Sequence, residues 1–511
     1  MTPPTDVSVP AAKATRREWL GLAVLTLPCL LYSMDLNVLN LAIPQLAVDL
    51  RPSASEMLWI VDIYGFLLAG FLITMGTLGD RIGRRRLLMI GATAFGAASV
   101  LAAFSTSAGM LIFSRGLLGI AAATLAPSTL SLIRNMFLDA RQRSVAIGIW
   151  VSCFAVGGAL GPVVGGVLLE HFWWGSVFLI AVPIMALLLV LAPVLLPEFR
   201  DPDAGALDLP SSALATLAVL ATIYGMKRIA EHGPDGTAGA AVIAGLAIGA
   251  LFVRRQNRLA NPMIDLGLLR SRLFGAALGV NIISTFAAFG SFLLIPQYLQ
   301  LVLAMSPLEA GLWLVPTGLV FIVGALLAPV LARKLTPRRV LIWGFLVTAV
   351  GYGVLTQISA GGGLWTLMTG LLILCAGIAP MGTVTTDLIM AAAPAEKAGA
   401  ASGISETSFE FGAALGVAVL GSIAMFVYRV HLAASVPQGV SAEVIDAASD
   451  TLGGAVAAAN GVRSEVGLAL LETARGAFTS SVEATALVCA ILSIAAAIMC
   501  SQVMRSEPKA A

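Results

Sequence analysis

Apolar residues in this chain come in long continuous runs rather than in period-two alternation. Between charged or Pro/Gly-rich breaks the runs fall at 19–42, 57–78, 87–107, 110–133, 144–168, 174–196, 211–229, 237–253, 273–301, 311–332, 340–358, 364–391, 401–427 and 481–503. A crossing of the hydrocarbon core takes about 20 apolar residues. Helices are the form expected, because a helix satisfies its own backbone in lipid. The alternating ten-residue strands of a membrane β-barrel are absent. The expectation is an all-α integral membrane protein with fourteen transmembrane helices.

Composition agrees. Of 511 residues 58% are hydrophobic and 11% charged, with a mean hydropathy of +0.94, where soluble domains carry about 25% charged residues. Such a chain cannot cover a globular surface with polar groups. The net charge of +2 adds nothing. Cys29, Cys153, Cys375, Cys489 and Cys500 sit far apart in or beside apolar runs, without paired spacing, and read as small core residues with no disulfide or metal role. Lys13, Arg16 and Arg17 precede the first run, but no short apolar stretch with a small-residue cleavage site follows. The first run is therefore expected to be a retained helix.

Basic residues test the count, because they favour cytoplasmic loops. With the N-terminus inside, 23 of the 30 Lys and Arg fall in cytoplasmic segments, six fall opposite, and Arg115 alone lies within a helix. One missed or invented helix would scramble this asymmetry. The expected protein is thus a multi-pass plasma or inner membrane protein with both termini cytoplasmic. Two stretches, G-T-L-G-D-R-I-G-R-R-R-L-L after the second run and A-P-V-L-A-R-K-L-T-P-R-R-V-L after the tenth, look like degenerate copies. They suggest two six-helix halves with two helices inserted, a duplication common in transporters. The expected parts are a tail (1–18), an N-terminal bundle (19–196), a linker with helices seven and eight (197–256), a C-terminal bundle (257–503) and a second tail (504–511). Residues 430–480 form a long outer loop whose Ala-rich composition suggests an amphipathic helical hairpin.

The most specific motif runs from Gly76 to Arg86 in a short turn between two runs. Its Gly76, Asp80, Arg81, Gly83, Arg84 and Arg85 match the G-x-x-x-D-R-x-G-R-R loop signature of the major facilitator superfamily, which the chain therefore resembles. Physically, glycines let two helices approach closely, while Asp80 can cap a helix end or pair with arginines to latch one conformation. An anchor for cytoplasmic charge would explain Arg84 to Arg86, but not the Gly and Asp spacing. In the fifth run Gly148, Gly157, Gly161, Pro162, Gly165 and Gly166 resemble the superfamily's antiporter signature. Glycines 157, 161 and 165 share one face, open to another backbone, and the proline favours a kink. The alternative is simply a tight helix crossing. In the fourth run L-I-F-S-R-G-L-L-G resembles the superfamily's R-x-x-x-G motif and puts Arg115 in the membrane. A charge there costs about 2.5 kcal/mol or more, so Arg115 needs a partner or a watery cavity, unless it snorkels to the interface.

Acidic residues within the runs are few: Asp35, Asp62, Asp387, Glu406 and Glu410. Each is a functional candidate by default. Glu406 and Glu410 are four apart, so they share a helix face and repel if both ionise. One then tends to hold a proton until a cation displaces it, which is the chemistry of an exchanger. Phe409, Phe411 and Trp59 can offer aromatic faces to an organic cation, although membrane aromatics also serve packing. Asp387 lies nearer its helix end, where a carboxylate is readily solvated.

Together these features resemble the fourteen-helix drug:H+ antiporter branch of the superfamily, which includes QacA-type multidrug pumps. Asp35, in M-D-L-N-V-L-N-L-A-I-P, resembles that branch's first-helix signature, with Asn37 where the pattern usually has Thr. The resemblance implies a major facilitator fold and proton-driven efflux of cationic lipophilic compounds such as quaternary ammonium biocides and ethidium, conferring drug resistance. It assigns Asp35 and Arg115 to proton coupling and Glu406 and Glu410 to cation recognition and protonation, with Asp62 serving either. The proton-coupling candidates are thus Asp35, Arg115, Glu406 and Asp62, and the substrate-binding candidates Glu410, Glu406 and Asp62, joined on their own chemistry by Trp59, Phe409 and Asp387. It implies no cofactor, no metal and no nucleic-acid partner, only protons, cations and the bilayer, and a monomer. An exporter of a neutral or anionic metabolite, peptide or lipid would share the fold. A channel or membrane-embedded enzyme is a distant alternative, since His171, His232 and His431 lack ligand spacing and no nucleophile elbow, P-loop or selectivity-filter run is found.

Overall fold

The computed structural model describes residues 13–52, 54–200, 208–232, 235–259, 262, 271–359, 363–437, 440–460 and 464–503, and the regular elements among them are all helical. In chain order these are α1 (Arg16–Leu50), α2 (Ala54–Ile82), α3 (Arg84–Ala103), α4 (Ala108–Met136), α5 (Ala140–His171) and α6 (Ser176–Leu195), the last interrupted at Ile180. Then come α7 (Leu209–His232), α8 (Gly236–Gln256), α9 (Arg272–Val302, ending in a π-helical turn from Tyr298), α10 (Pro307–Leu335), α11 (Pro337–Leu355) and α12 (Leu364–Ala392). Finally come α13 (Ala398–Ala434), two short helices, α14 (Ala442–Asp450) and α15 (Leu452–Asn460), and the long α16 (Ser464–Val503). Among the described residues thirteen helices are long and apolar enough to cross a membrane. The 35-residue α1, with Asp35 embedded in it, covers the remaining apolar run.

The helices form two compact units, Met1–Leu207 with Asp387–Gly403, and Asp208–Thr386 with Ile404–Ala511. In the first unit α1 packs on α5, α2 on α4, and α3 on both α4 and α6. Small residues set these spacings: a Cβ on Gly119 of α4 would run into the Tyr64 carbonyl of α2, and one on Gly157 of α5 would sit 2.5 Å from the Leu30 carbonyl of α1. Such backbone approach is how membrane helices associate without a hydrophobic drive.

In the second unit α9 lies against α13 through Gly290, Gly412 and Gly416, and α11 packs on α16 and α12. The buried Tyr352 hydroxyl donates to the Ala287 carbonyl at 2.7 Å and meets Ser291 Oγ at 2.9 Å. Helices α7 and α8 pair closely, Gly225 facing the Ala238 carbonyl and Gly245 facing Thr222. An ion pair fastens each end, Arg255 to Asp208 at 3.0 Å and Arg228 to Asp235 at 2.8 Å. Hydrogen bonds from Arg255 and then Ser211 hold the Asp208 carboxyl below the usual carboxylate range. Those from Arg228, the Ala238 N–H and Thr237 hold Asp235 further below it.

The structure differs from the sequence pattern at 430–480. Helix α13 continues to Ala434, α14 and α15 follow, and α16 begins at Ser464, well before its apolar run. The extension is amphipathic enough to bury Leu470, Ala474, Ala477 and Phe478 against α14, α15 and the π-turn of α9. Tyr428 Oη donates to the Ala448 carbonyl at 2.8 Å, and Arg475 Nε to the Leu301 carbonyl at 2.9 Å.

Candidate functional site

Arg115 on α4 is fully buried and does not snorkel. Its Nη1 donates to Asp35 Oδ2 of α1 at 2.6 Å, its Nε to the Ile60 carbonyl at 3.1 Å, and its Nη2 reaches the Val61 carbonyl at 3.5 Å. The guanidinium also lies over the Tyr64 ring, 4.8 Å from its centroid. A charge that is expensive in the membrane is thus matched by an acid, two carbonyls and an aromatic face. The two α2 carbonyls are open to a side chain because Gly119, one turn along α4, lets the backbones touch. Asp62 directly follows these carbonyls and is half-buried, while Trp59 is 40% exposed and meets Phe66 edge-on.

The loop motif is less of a loop than its sequence suggests. Gly76 to Ile82 are the last turns of α2, and Gly83 alone breaks the helix before α3 starts at Arg84. Gly83 takes φ +107°, where side chains are strained, and a Cβ there would lie 2.6 Å from a Glu198 oxygen. Asp80, 6% exposed, accepts from Arg84 Nη2 at 2.6 Å and Nε at 2.9 Å. It also accepts from the Gly399 and Ala400 N–H groups, each at 2.9 Å, and so caps the start of α13. Arg84 completes the ring by donating to the Ala395 and Glu396 carbonyls. Gly76 faces Gly399 so closely that a Cβ on either would strike the other's carbonyl. Arg81 is half-buried. Arg85 donates through Nη1 to the Leu196 carbonyl at 3.0 Å.

Asp387 accepts from Arg143 Nε of α5 at 3.0 Å, and Arg134 Nε donates to the Met390 carbonyl at 2.8 Å. Asp387 therefore belongs with the Asp80–Arg84 end of the first unit and is not in the unit that holds Glu406 and Glu410. In the fifth helix Gly157 and Gly165 face α1, at Leu30 and Val38, whereas a Cβ on Gly166 would meet nothing within 4 Å. Gly161 is buried, and the Gly148 carbonyl accepts from Ser152 Oγ. The Pro162 side chain lies outside the described residues, and α5 runs across its position as one helix.

In the second unit Glu406 and Glu410 stand half-buried one turn apart on α13, as their spacing requires. Among the described residues Glu406 has neither a hydrogen-bond nor an ion-pair partner. Beside it Asn281 of α9 donates to the Ser405 carbonyl at 3.1 Å and to Ser408 Oγ at 2.8 Å. Phe409 is half-buried and meets Phe289 edge-to-face, ring centroids 5.3 Å apart. The arrangement offers carboxylates and aromatic faces on one stretch of α13.

Three participants were not singled out in the sequence. Arg143 looked like one more loop cation. Asn281 is a lone polar residue in an apolar run. Glu198 closes the sixth run, and its two oxygens accept from the Arg85 and Arg86 N–H groups at 3.0 and 3.2 Å, capping α3. The P-E that ends that run, opposite a helix beginning with three arginines, was the available signal for Glu198.

With this geometry in hand, a profile of the Major Facilitator Superfamily matches residues 26–417. The chain is 45% identical to the multidrug efflux pump LfrA of Mycolicibacterium smegmatis, over 94% of this chain and 95% of that one. It is 36% identical to the methyl viologen resistance protein SmvA of Salmonella typhimurium, over 90% and 93%. The crystal structure of the human organic anion transporter MFSD10 (TETRAN) superposes with a TM-score of 0.58 at 15% identity, covering 94% of this chain and 99% of that one, a likeness of fold alone.

Proposed function

The chain belongs to the Major Facilitator Superfamily and is a multi-pass membrane transporter, not an enzyme; from that premise we propose that it exports lipophilic cations in exchange for protons. The observation that carries this reading is Glu406, an acid within a membrane helix with no basic partner among the described residues and with Glu410 one turn away. Two carboxylates so close cannot both ionise cheaply in a poorly solvated place. A proton or a cationic substrate relieves the pair, and the two compete. Phe409 and Phe289 supply the faces to which an organic cation is attracted. The relatives' names point the same way: one is a multidrug efflux pump, the other is named for resistance to methyl viologen, a doubly quaternised bipyridinium.

In this mechanism Asp35 and Arg115 couple protons. Protonating Asp35 removes the charge facing Arg115, which keeps its carbonyl and ring contacts, so the step changes the electrostatics between α1 and α4 without stranding a bare cation. Asp80 and Arg84, with Arg143 and Asp387, latch α2 and α5 to the α12–α13 connection, and the latch must release for the site to alternate its access. Asp62 and Trp59 contribute to substrate or proton handling on α2. Both termini are cytoplasmic, by the distribution of basic residues. The chain is organised as two six-helix halves, 19–196 and 257–503, with α7 and α8 inserted between them in sequence, working as a monomer without a cofactor.

Equilibrium binding tests the competition. Ethidium affinity of the purified full chain should fall about tenfold for each unit by which the pH is lowered, over the range in which one proton and one cation exclude each other. Glu406→Gln with Glu410→Gln should weaken binding and flatten this dependence. Unchanged affinity and an unchanged pH profile in the double variant would refute the assignment.

A further inference from the structure

Besides its bond to Arg115, Asp35 lines a small cleft between α1, α3 and α6. Met34 and Asp35 come from α1, Phe95 and Ser99 from α3, Phe178 and Ile180 from α6. The cavity measures ≈ 20 Å³, room for about one water. An organic cation would need several hundred Å³, and a hard metal ion would need more oxygen ligands than one carboxylate and one hydroxyl.

Ser99 is the second observation. It is 1% exposed, and among the described residues its hydroxyl has no hydrogen-bond partner. Ser105, Ser114, Ser128 and Ser152 by contrast each donate to the carbonyl four residues back, whereas Ser176 and Ser402, like Ser99, make no such bond. A buried hydroxyl is costly to leave unmade, and this one lines the same cleft as a carboxylate. Ser99 lies fifteen residues along α3 from Arg84, about 22 Å at 1.5 Å per residue, far from the basic end of that helix.

We propose that this cleft is a water site, held by Ser99 Oγ, through which protons reach Asp35. The proposal rests on the proton-exchange reading above and deepens it by giving the proton a route. A hydronium entering the cleft transfers one proton to the Asp35 carboxylate, forming one O–H bond and breaking another, and leaves a neutral water hydrogen-bonded to Ser99. From α4 Arg115 holds the Asp35 carboxylate, its guanidinium lies over the Tyr64 ring of α2, and that ring is 6.2 Å from the Tyr32 ring of α1. From α5 Phe154 meets Tyr32, and its carbonyl accepts from Ser33. Among the described residues that α3 and α6 contribute to the lining, none is ionisable, so a proton in the cleft has Asp35 as its acceptor.

The test uses the full chain in proteoliposomes with an internal pH-sensitive dye, and ethidium as the exchanged cation. Ser99→Ala should slow ethidium-dependent proton movement about fivefold, the rate equivalent of one lost hydrogen bond. Ser99→Val, which also fills the cavity, should slow it further, and both should bind ethidium as the native chain does. In parallel, hydroxyl-radical footprinting reads the water directly. Met34, 4% exposed and lining the cleft, should be oxidised in the native protein and protected in Ser99→Val. Native proton movement with both variants unaffected, or a Met34 that is never oxidised, overturns the proposal. A native chain that moves no protons with ethidium overturns the exchange reading itself, and with it the role of the cleft, while Met34 still reports whether water is bound there.

Discussion

Among single residues, Arg115 depends most on a partner far away in the sequence. Its neighbours in sequence are Ser114, Gly116 and leucines, and nothing local shows what compensates its charge; the partner is eighty residues away on α1. Breaking a buried pair by removing one member costs about 3–5 kcal/mol, whereas replacing both by apolar groups is far better tolerated. Arg115→Leu should therefore yield little monodisperse protein in detergent, and Asp35→Leu with Arg115→Leu should recover more of it, without transport. Size-exclusion profiles of the two variants decide this; equal losses would show that the pair is not what Arg115 requires. Glu198 makes a smaller prediction. As the acceptor for the first turn of α3 it contributes what helix caps do, about 1 kcal/mol, so Glu198→Ala should lower the thermal midpoint modestly while leaving ethidium affinity unchanged.

At the scale of elements, small residues decide where helices touch. Within α5 the structure separates glycines that the sequence pattern treats alike. A Cβ at Gly157 lies 2.5 Å from the Leu30 carbonyl, and one at Gly166 meets nothing within 4 Å. Gly157→Ala should destabilise, whereas Gly166→Ala should be neutral or stabilising by up to about 1 kcal/mol, the helix-propensity gain; melting curves of both compare them directly. The α7–α8 hairpin carries a pH prediction. Arg255 and Arg228 depress the carboxyls of Asp208 and Asp235 in the folded state. Their contribution is therefore present above the unfolded carboxylate value of about 3.9 and is lost as pH falls below it. Hydrogen exchange at Ser211 and Ala238, the N–H groups bonded to these acids, should report equal protection from pH 7 to 5 and less below about pH 4, a change that Asp208→Asn should remove at Ser211.

For the whole molecule, the sequence was legible wherever a single segment decides the outcome. Helix number and class follow from run length, since lipid leaves the backbone few options. Gly76 to Arg86 was readable as a motif, but placing it in a turn was inaccurate: Leu78 and Ile82 carry α2 on to a break that one glycine suffices to make. The 430–480 stretch was legible as helical, yet the length of α16 depends on Leu470 and Phe478 finding a surface formed by other helices. The same limit applies to Asp387. Its position near a helix end was plain, but its partner Arg143 lies 244 residues away. Glu406 and Glu410 were readable because their relation is local, four residues on one helix.

Exchange of protons for cations is the central claim, and transport driven by an imposed pH gradient tests it most directly. Proteoliposomes holding the full chain, acid inside and with the membrane potential clamped, should accumulate ethidium above its equilibrium ratio. They should lose it on addition of a protonophore and fail to accumulate it when they carry Asp35→Asn. Accumulation that is indifferent to the gradient, or undiminished in Asp35→Asn, would contradict the account.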